Sequence, residues 1–346
     1  MAEYLQPLRA DYGGTSPDIK GDPAFAGEGA AVLGRVTLGR DAWLGPWSVI
    51  RADGHYIHIG EDFRLGSHAT VHIAHDLYPT HIGDRVTVGQ GAVIHACTVE
   101  DGCVVEREAV ILDGSRIGAG AVIAAGSVVY PRSDLPGGWL YSGSPAKPVA
   151  RVPAPELEGY HQKIRNGGSR KDRKDGGARG ALDCFVAPSA QLRGAVSVGK
   201  GVGIWYGCRL NAGAHRIVIG EGSNVQDNST ITCKAADVII APDVTIGHNV
   251  ALTDCVISTG SLVGIGSLIA AGTLVESDVL VAAGTQTEPG QRLTGGQVWA
   301  GRPARPIGPM DARKRAIISN TLPHYRDYAV RFRAALHQDL VQPSEV

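Results

Sequence analysis

Histidine, arginine, amide and carboxylate side chains stand at matching places in two stretches of this 346-residue sequence. The first stretch carries Val49-Ile50-Arg51-Ala52-Asp53, then Thr70-Val71-His72, then Gly89-Gln90 and Val93-Ile94-His95. The second carries Asn224-Val225-Gln226-Asp227-Asn228 and Thr245-Ile246-Gly247-His248. An imidazole exchanges protons near neutral pH and, when neutral, binds metals, whereas arginine, carboxylate and amide groups orient small polar molecules or the imidazoles themselves. Groups so far apart in sequence meet only if the backbone between them is rigid and periodic.

It is periodic. Aliphatic residues recur every six positions at Val32, Leu38, Leu44 and Ile50, at Ile59, Leu65 and Val71, at Ile82, Val88 and Ile94, and at Val99, Val105, Ile111, Ile117 and Ile123. The ladder returns from Val186 through Ile231 at an offset of 160, and from Ile240 through Val281 at an offset of 158, so the chain is a tandem duplication with a two-residue deletion in one loop. A period of six fits neither a helix of 3.6 residues per turn nor an alternating strand, and predicts a stacked parallel β-solenoid. Each unit contributes a short flat strand and a corner, with its aliphatic side chain stacked inward. The small residues after many rungs (Gly60, Gly83, Gly89, Gly118, Gly220, Gly247) are expected to supply unusual φ/ψ at the corners.

Composition agrees: 47 glycines and 5% aromatics suit a narrow column. A formal net charge of −1 offers no global field for nucleic acid. Met1-Ala2-Glu3-Tyr4 lacks the charged and apolar parts of a signal peptide, and no apolar run reaches transmembrane length, so no membrane association and a cytoplasmic location are expected. The six cysteines show no CxxC spacing, and Cys97 and Cys255 are equivalent, which reads as buried free thiols.

The first solenoid is placed at residues 1–152 and the second at 183–309. Residues 153–182 read as a short helix from Pro153 followed by a Gly- and Lys/Arg-rich linker, and residues 310–346 as a helical tail with Ile317, Ile318, Leu322 and Tyr325 at helical spacing and Pro323 expected to break or kink it.

The motif segments Arg51-Ala52-Asp53, Asn224-Val225-Gln226-Asp227, Gly247-His248-Asn249-Val250-Ala251-Leu252-Thr253-Asp254-Cys255 and Gly143-Ser144-Pro145-Ala146-Lys147 resemble the γ-class carbonic anhydrase family over nearly all of both copies. The resemblance implies an all-β chain of two tandem left-handed parallel β-helices built of hexapeptide repeats, each followed by helical segments. It also implies trimer-type packing of such helices in a homo-oligomer, with zinc at the interfaces, held by two histidines of one prism and the Gly-His histidine of its neighbour. Three neutral imidazoles leave a fourth tetrahedral position for water, which ionises near neutrality and attacks carbon dioxide or another small carbonyl electrophile.

Neither copy carries the full set. Copy one keeps His72 and His95 but has Gln90 in the Gly-His position; copy two keeps His248 but has Thr232 and Thr253 at the other two. Arg51 and Asp53 stand in copy one against Asn211 and Gly213, and Gln226 and Asp227 in copy two against Gly66 and Ser67. These losses are complementary, so a mixed contact of the two copies rebuilds one ligand set, His72, His95 and His248. A like-with-like contact gives His72, His95 and Gln90, and three-membered rings cannot alternate two domain types evenly, so both stay open.

By the resemblance, Arg51, Asp53, Gln226 and Asp227 serve the reaction; Tyr141, just before Gly143-Ser144-Pro145-Ala146-Lys147, either faces the cleft as a further catalytic candidate or packs as an aromatic at the end of the solenoid. His75 and His81 are candidate proton shuttles, His55 and His215 are structural equivalents, and His58, His68 and His161 are expected in solvent. The partner is a small-molecule substrate. The competing class is a hexapeptide acyltransferase with an acyl-CoA donor, or a metal-free scaffold, since fold does not decide function.

Overall fold

The computed structural model describes residues 6–166 and 184–339. The predicted linker after the first helix and the end of the tail lie outside the described residues.

Both copies are left-handed parallel β-helices whose strands are mostly two or three residues long. Successive coils pair in parallel seventeen or eighteen residues apart, as in Val88 opposite Val105 and Val99 opposite Ile117 of copy one, or Ile246 opposite Val263 and Ile257 opposite Val275 of copy two. Three six-residue sides thus make one coil. The inward aliphatics form the cores: from Val32 to Ile123 every rung of copy one is at most 2% exposed. Each such burial contributes about 1.5–3 kcal/mol, which fixes the register of the column. An antiparallel pair closes each copy, Trp139–Ser142 on Lys147–Arg151 and Gln297–Ala300 on Arg305–Pro309.

The glycines after the rungs are required for a different reason from the expected one. Gly89 and Gly247 do not have positive φ; a Cβ there would stand 2.6 Å from Arg107 N and 2.8 Å from Ile265 N of the next coil. Close approach of stacked backbones, not unusual torsion, excludes a side chain. The left-handed torsions fall elsewhere in the corners, at residues such as Asp62, Arg85 and Asn228.

Two helices follow the solenoids among the described residues. Helix α1, Ala154–Asn166, lays Leu157, Tyr160 and Ile164 against Val104 and Val122. Helix α2, Ala312–Asp339, begins on copy two, where Ile318 meets Leu262 and Leu280, and continues to Tyr325, Tyr328 and Phe332, all buried. Pro323 does not break it. The carbonyl that proline leaves without a partner belongs to exposed Ser319, where water can satisfy it, and buried side chains pin the helix on both sides. Among the described residues no helix is long and apolar enough to cross a membrane. All six cysteines are free and buried.

The two copies pack side by side. Val93, Val110 and Val128 of copy one are buried against Ile265 and Ala283 of copy two. Contact is this close because Gly284 lacks a side chain: a Cβ there would meet Val128 Cγ2 at 2.4 Å. Polar groups fix the register of the contact, with Asn249 Nδ2 donating to His68 O at 2.8 Å, Asn228 Nδ2 to Thr70 Oγ1 at 3.0 Å, and Arg302 Nη1 to Gly126 O at 2.9 Å.

Candidate metal centre

The contact between the copies brings His72, His95 and His248 together within one chain, with one ring nitrogen of each lying within 4.8 Å of the others. Coil stacking places the first two, since the strands Thr70–His72 and Val93–His95 pair with His72 opposite His95. His72 Nδ1 and His95 Nε2 are 3.2 Å apart. His248 comes from the corner of copy two, its ring centroid 4.6 Å from that of His72.

Each imidazole has a carboxylate at its other nitrogen. Asp53 Oδ1 lies 3.1 Å from His72 Nε2, and Asp113 Oδ1 lies 2.6 Å from His95 Nδ1. Asp227 Oδ2 lies 3.1 Å from His248 Nδ1 but off the hydrogen-bonding direction. Arg51, fully buried, joins the two copies: its Nε donates to Asp227 Oδ2 at 2.9 Å, Nη1 pairs with Asp53, and Nη2 reaches Tyr325 Oη at 3.1 Å. Its guanidinium lies 4.3 Å from the Trp205 ring centroid.

The electrostatics keep His72 and His248 neutral. Burial, reinforced by Arg51 and the neighbouring histidines, holds His72 well below its ordinary pKa. Burial lowers His248 to about 4, with Asp227 only partly opposing it. Burial alone would raise Asp227, but Arg51 and His248 outweigh it and hold that carboxyl below its usual range.

A testable pH dependence follows for the metal-free chain. Below pH 6.5 the unfolded state takes up a proton on His248 that the folded state refuses until about pH 4, so stability falls as pH drops across that window. The loss from His248 at pH 5 is about 2 kcal/mol, with His72 acting in the same direction. Urea unfolding at pH 7 and pH 5 with chelator present measures it; equal stability at the two pH values would contradict buried neutral imidazoles.

The donor set fits a tetrahedral divalent metal. His72 and His248 are held neutral, a Zn–N bond of about 2.0–2.1 Å brings its nitrogens roughly 3.4 Å apart, and the second nitrogen of a metal-bound histidine is held by a carboxylate, a backbone carbonyl or water.

Gamma carbonic anhydrase 2, mitochondrial, of Arabidopsis thaliana is 35% identical over 156 residues, 44% of this chain and 56% of that protein. A probable carbonic anhydrase of Methanocaldococcus jannaschii is 36% identical over 131 residues, 38% of this chain and 82% of that protein. The chain belongs to the gamma carbonic anhydrase-like family of hexapeptide-repeat proteins. It spans only a little over half the length of the plant relative. No family model matches it. A putative acetyltransferase of Desulfovibrio desulfuricans G20 superposes with TM-score 0.50 at 16% identity, over 87% of this chain and 68% of that one, a likeness of fold alone.

The family's motif positions divide unevenly around the centre. Arg51, Asp53 and Asp227 are in contact with one another or with the histidines. Gln226 is buried beside Asp227, its amide donating to Asn224 Oδ1 at 3.2 Å. Gln90 is exposed on the far corner of copy one and does not join the three histidines within the chain. Tyr141 is not brought to the centre: it ends the core of copy one, its hydroxyl donating to Pro136 O at 2.7 Å. The tyrosine that does reach it is Tyr325 of α2, with Oη 3.3 Å from His248 Nε2.

His75 stacks on His324 of α2 with centroids 3.8 Å apart and contacts the Tyr328 hydroxyl, whereas His81 lies with Tyr56 and His58. His161, expected in solvent, is buried, bonded to Thr87 Oγ1 at 2.7 Å and Gly102 O at 3.2 Å, and locks α1 to the solenoid.

Asp113, Trp205, His324 and Tyr328 escaped the reading of the sequence, and Tyr325 was read only as part of a helix. Asp113 stands one coil after His95, eighteen residues on, and that spacing marked it. Trp205 and Tyr206 replace Gly45 and Pro46 of copy one, a swap the duplication displays.

Proposed function

We propose that this chain is a zinc enzyme of the gamma carbonic anhydrase type, with one centre per chain between its two copies, acting on carbon dioxide or another small carbonyl electrophile. The observation that carries the reading is the triad His72, His95 and His248, each imidazole with its own aspartate. His72, His95 and His248 would hold zinc, which when bound would supply a Lewis acid able to lower the pKa of water towards 7 and to polarise a carbonyl.

The chain's own residues do the rest. Asp53, Asp113 and Asp227 orient the rings, and Arg51 fixes two of those carboxylates at once, so that the ligand set is rigid before anything binds. Burial keeps the Tyr325 hydroxyl protonated, a neutral donor beside His248 and Arg51. The partly exposed pair His75 and His324, joined inward to Tyr328, carries protons between the site and solvent. Gln226, buried next to Asp227, orients the small substrate. In trimer-type packing the two copies take adjacent seats. The Thr232 and Thr253 face of copy two is the flank at which a homo-oligomer would be completed, which light scattering measures.

After zinc supplementation, elemental analysis is expected to give about one zinc per chain, because the described residues hold one set of three histidines. Alanine at His72, His95 or His248 removes it, and Gln90→Ala does not. Two equivalents, or none, would overturn the reading. On zinc-loaded protein, stopped-flow hydration of carbon dioxide and hydrolysis of a thioester are expected to rise with pH through an apparent pKa near neutrality.

A further inference from the structure

Copy one carries its own version of the corner that provides His248 in copy two. Gly66 and Ser67 replace Gln226 and Asp227 there, and Gln90 replaces His248. Within the chain copy two does not cover this corner, which opens as a groove of about 410 Å³ floored by Trp43 and edged by α1.

The groove has changed charge as well as ligands. Arg64 stands where copy two has Asn224, Arg107 where it has Ile265, and Lys163 and Arg165 of α1 match Thr321 and Pro323 of α2. Four neutral positions have become four cations around one concavity, in a chain whose net charge is −1. Two carboxylates offset part of this: Glu106 pairs with Lys163 at 3.2 Å, and Asp62 with Arg165 at 3.0 Å. Arg64 and Arg107 make no ion pair among the described residues. Arg64 is half-buried against Trp43, its guanidinium 5.8 Å from the ring centroid, and its Nε is out of solvent without a hydrogen-bond partner. Burial and the nearby Arg165 both disfavour its charge, with Asp62 opposing them. An anion in the groove would relieve both effects, and guanidinium forks match tetrahedral oxyanions in two-point hydrogen bonds.

We propose that this groove binds a small anion of the phosphate class, free or as an ester, so that copy one's counterpart of the metal corner serves as an anion site. The claim is independent of zinc at the centre.

Isothermal titration of the full chain at low salt with inorganic pyrophosphate, and separately with adenosine 3′,5′-bisphosphate, tests it. Saturable binding of either ligand is expected, weakening at least about tenfold in Arg64→Gln/Arg107→Gln and with added salt, while zinc content stays unchanged. Tighter binding of the nucleotide assigns the ester as the source, and equal or tighter binding of pyrophosphate assigns the free anion. Should the double variant fold poorly, Lys163→Gln, an exposed single change, is expected to weaken binding in the same direction. No binding of either probe at millimolar concentration, or binding indifferent to these substitutions, would overturn the proposal.

Discussion

Arg51→Ala is expected to destabilise the chain by about 3–5 kcal/mol, because it strands Asp53 and Asp227, both fully buried, without their shared counter-charge. The substitution also removes a cation lying 4.3 Å from Trp205 and leaves the Tyr325 hydroxyl without one partner. Arg51→Lys recovers little of the loss, since one ammonium cannot reproduce a fork that meets a carboxylate from each copy. The same variants should release zinc more readily to a chelator, because the aspartates beside His72 and His248 lose their anchor. Denaturant midpoints and zinc release measure the two effects separately. Stability within about 1 kcal/mol of the parent would show that water or relaxation satisfies the stranded carboxylates, and the guanidinium would then not be what joins the copies.

Phe332→Ala is expected to cost a comparable amount, about 3–5 kcal/mol, through the cavity it leaves. The ring is fully buried in a cluster drawn from both copies, with centroid distances of 5.5 Å to Tyr12, 6.0 Å to Trp205 and 6.0 Å to Tyr206. Loss of that ring loosens α2 over the centre as well as the contact between the solenoids, so zinc exchange should quicken although no ligand has changed. Val330→Ala, at a position 58% exposed on the same helix, is the control, with an effect within about 0.5 kcal/mol.

The solenoids were legible in the sequence because a six-residue ladder has one physical solution, and every rung from Val32 to Ile123 lies in the core. The histidines were legible for a related reason: duplication sets each corner beside its counterpart, so the missing ligands of one copy could be read against those kept by the other. What the ladder could not supply was the partner of each corner. Six-residue periodicity says nothing about which solenoid face meets which, and so the mixed contact, favoured by the complementary losses, left the like-with-like one open until Val110 was seen against Ile265. Helix α2 was visible as a periodic segment, but its destination was not. Tyr325 reaches the centre through a long-range contact that no local pattern encodes, and Tyr141 was favoured only for its nearness to a motif. His161 went astray similarly, since a polar residue on a short helix gives no sign of the Thr87 hydroxyl waiting beneath it.

Both halves of the candidate centre belong to a single polypeptide. Sites shared between separate subunits come apart on dilution, whereas here His248 stays at an effective concentration of the order of millimolar or above relative to His72 and His95, whatever the protein concentration. Assembly of the ligand set is thus a first-order folding event, and metal affinity should be as high at nanomolar protein as at micromolar. The linkage also frees each copy from serving both sides of an interface. A change such as histidine to Gln90 touches only one corner, where in a symmetric ring of identical subunits it would strike every site at once.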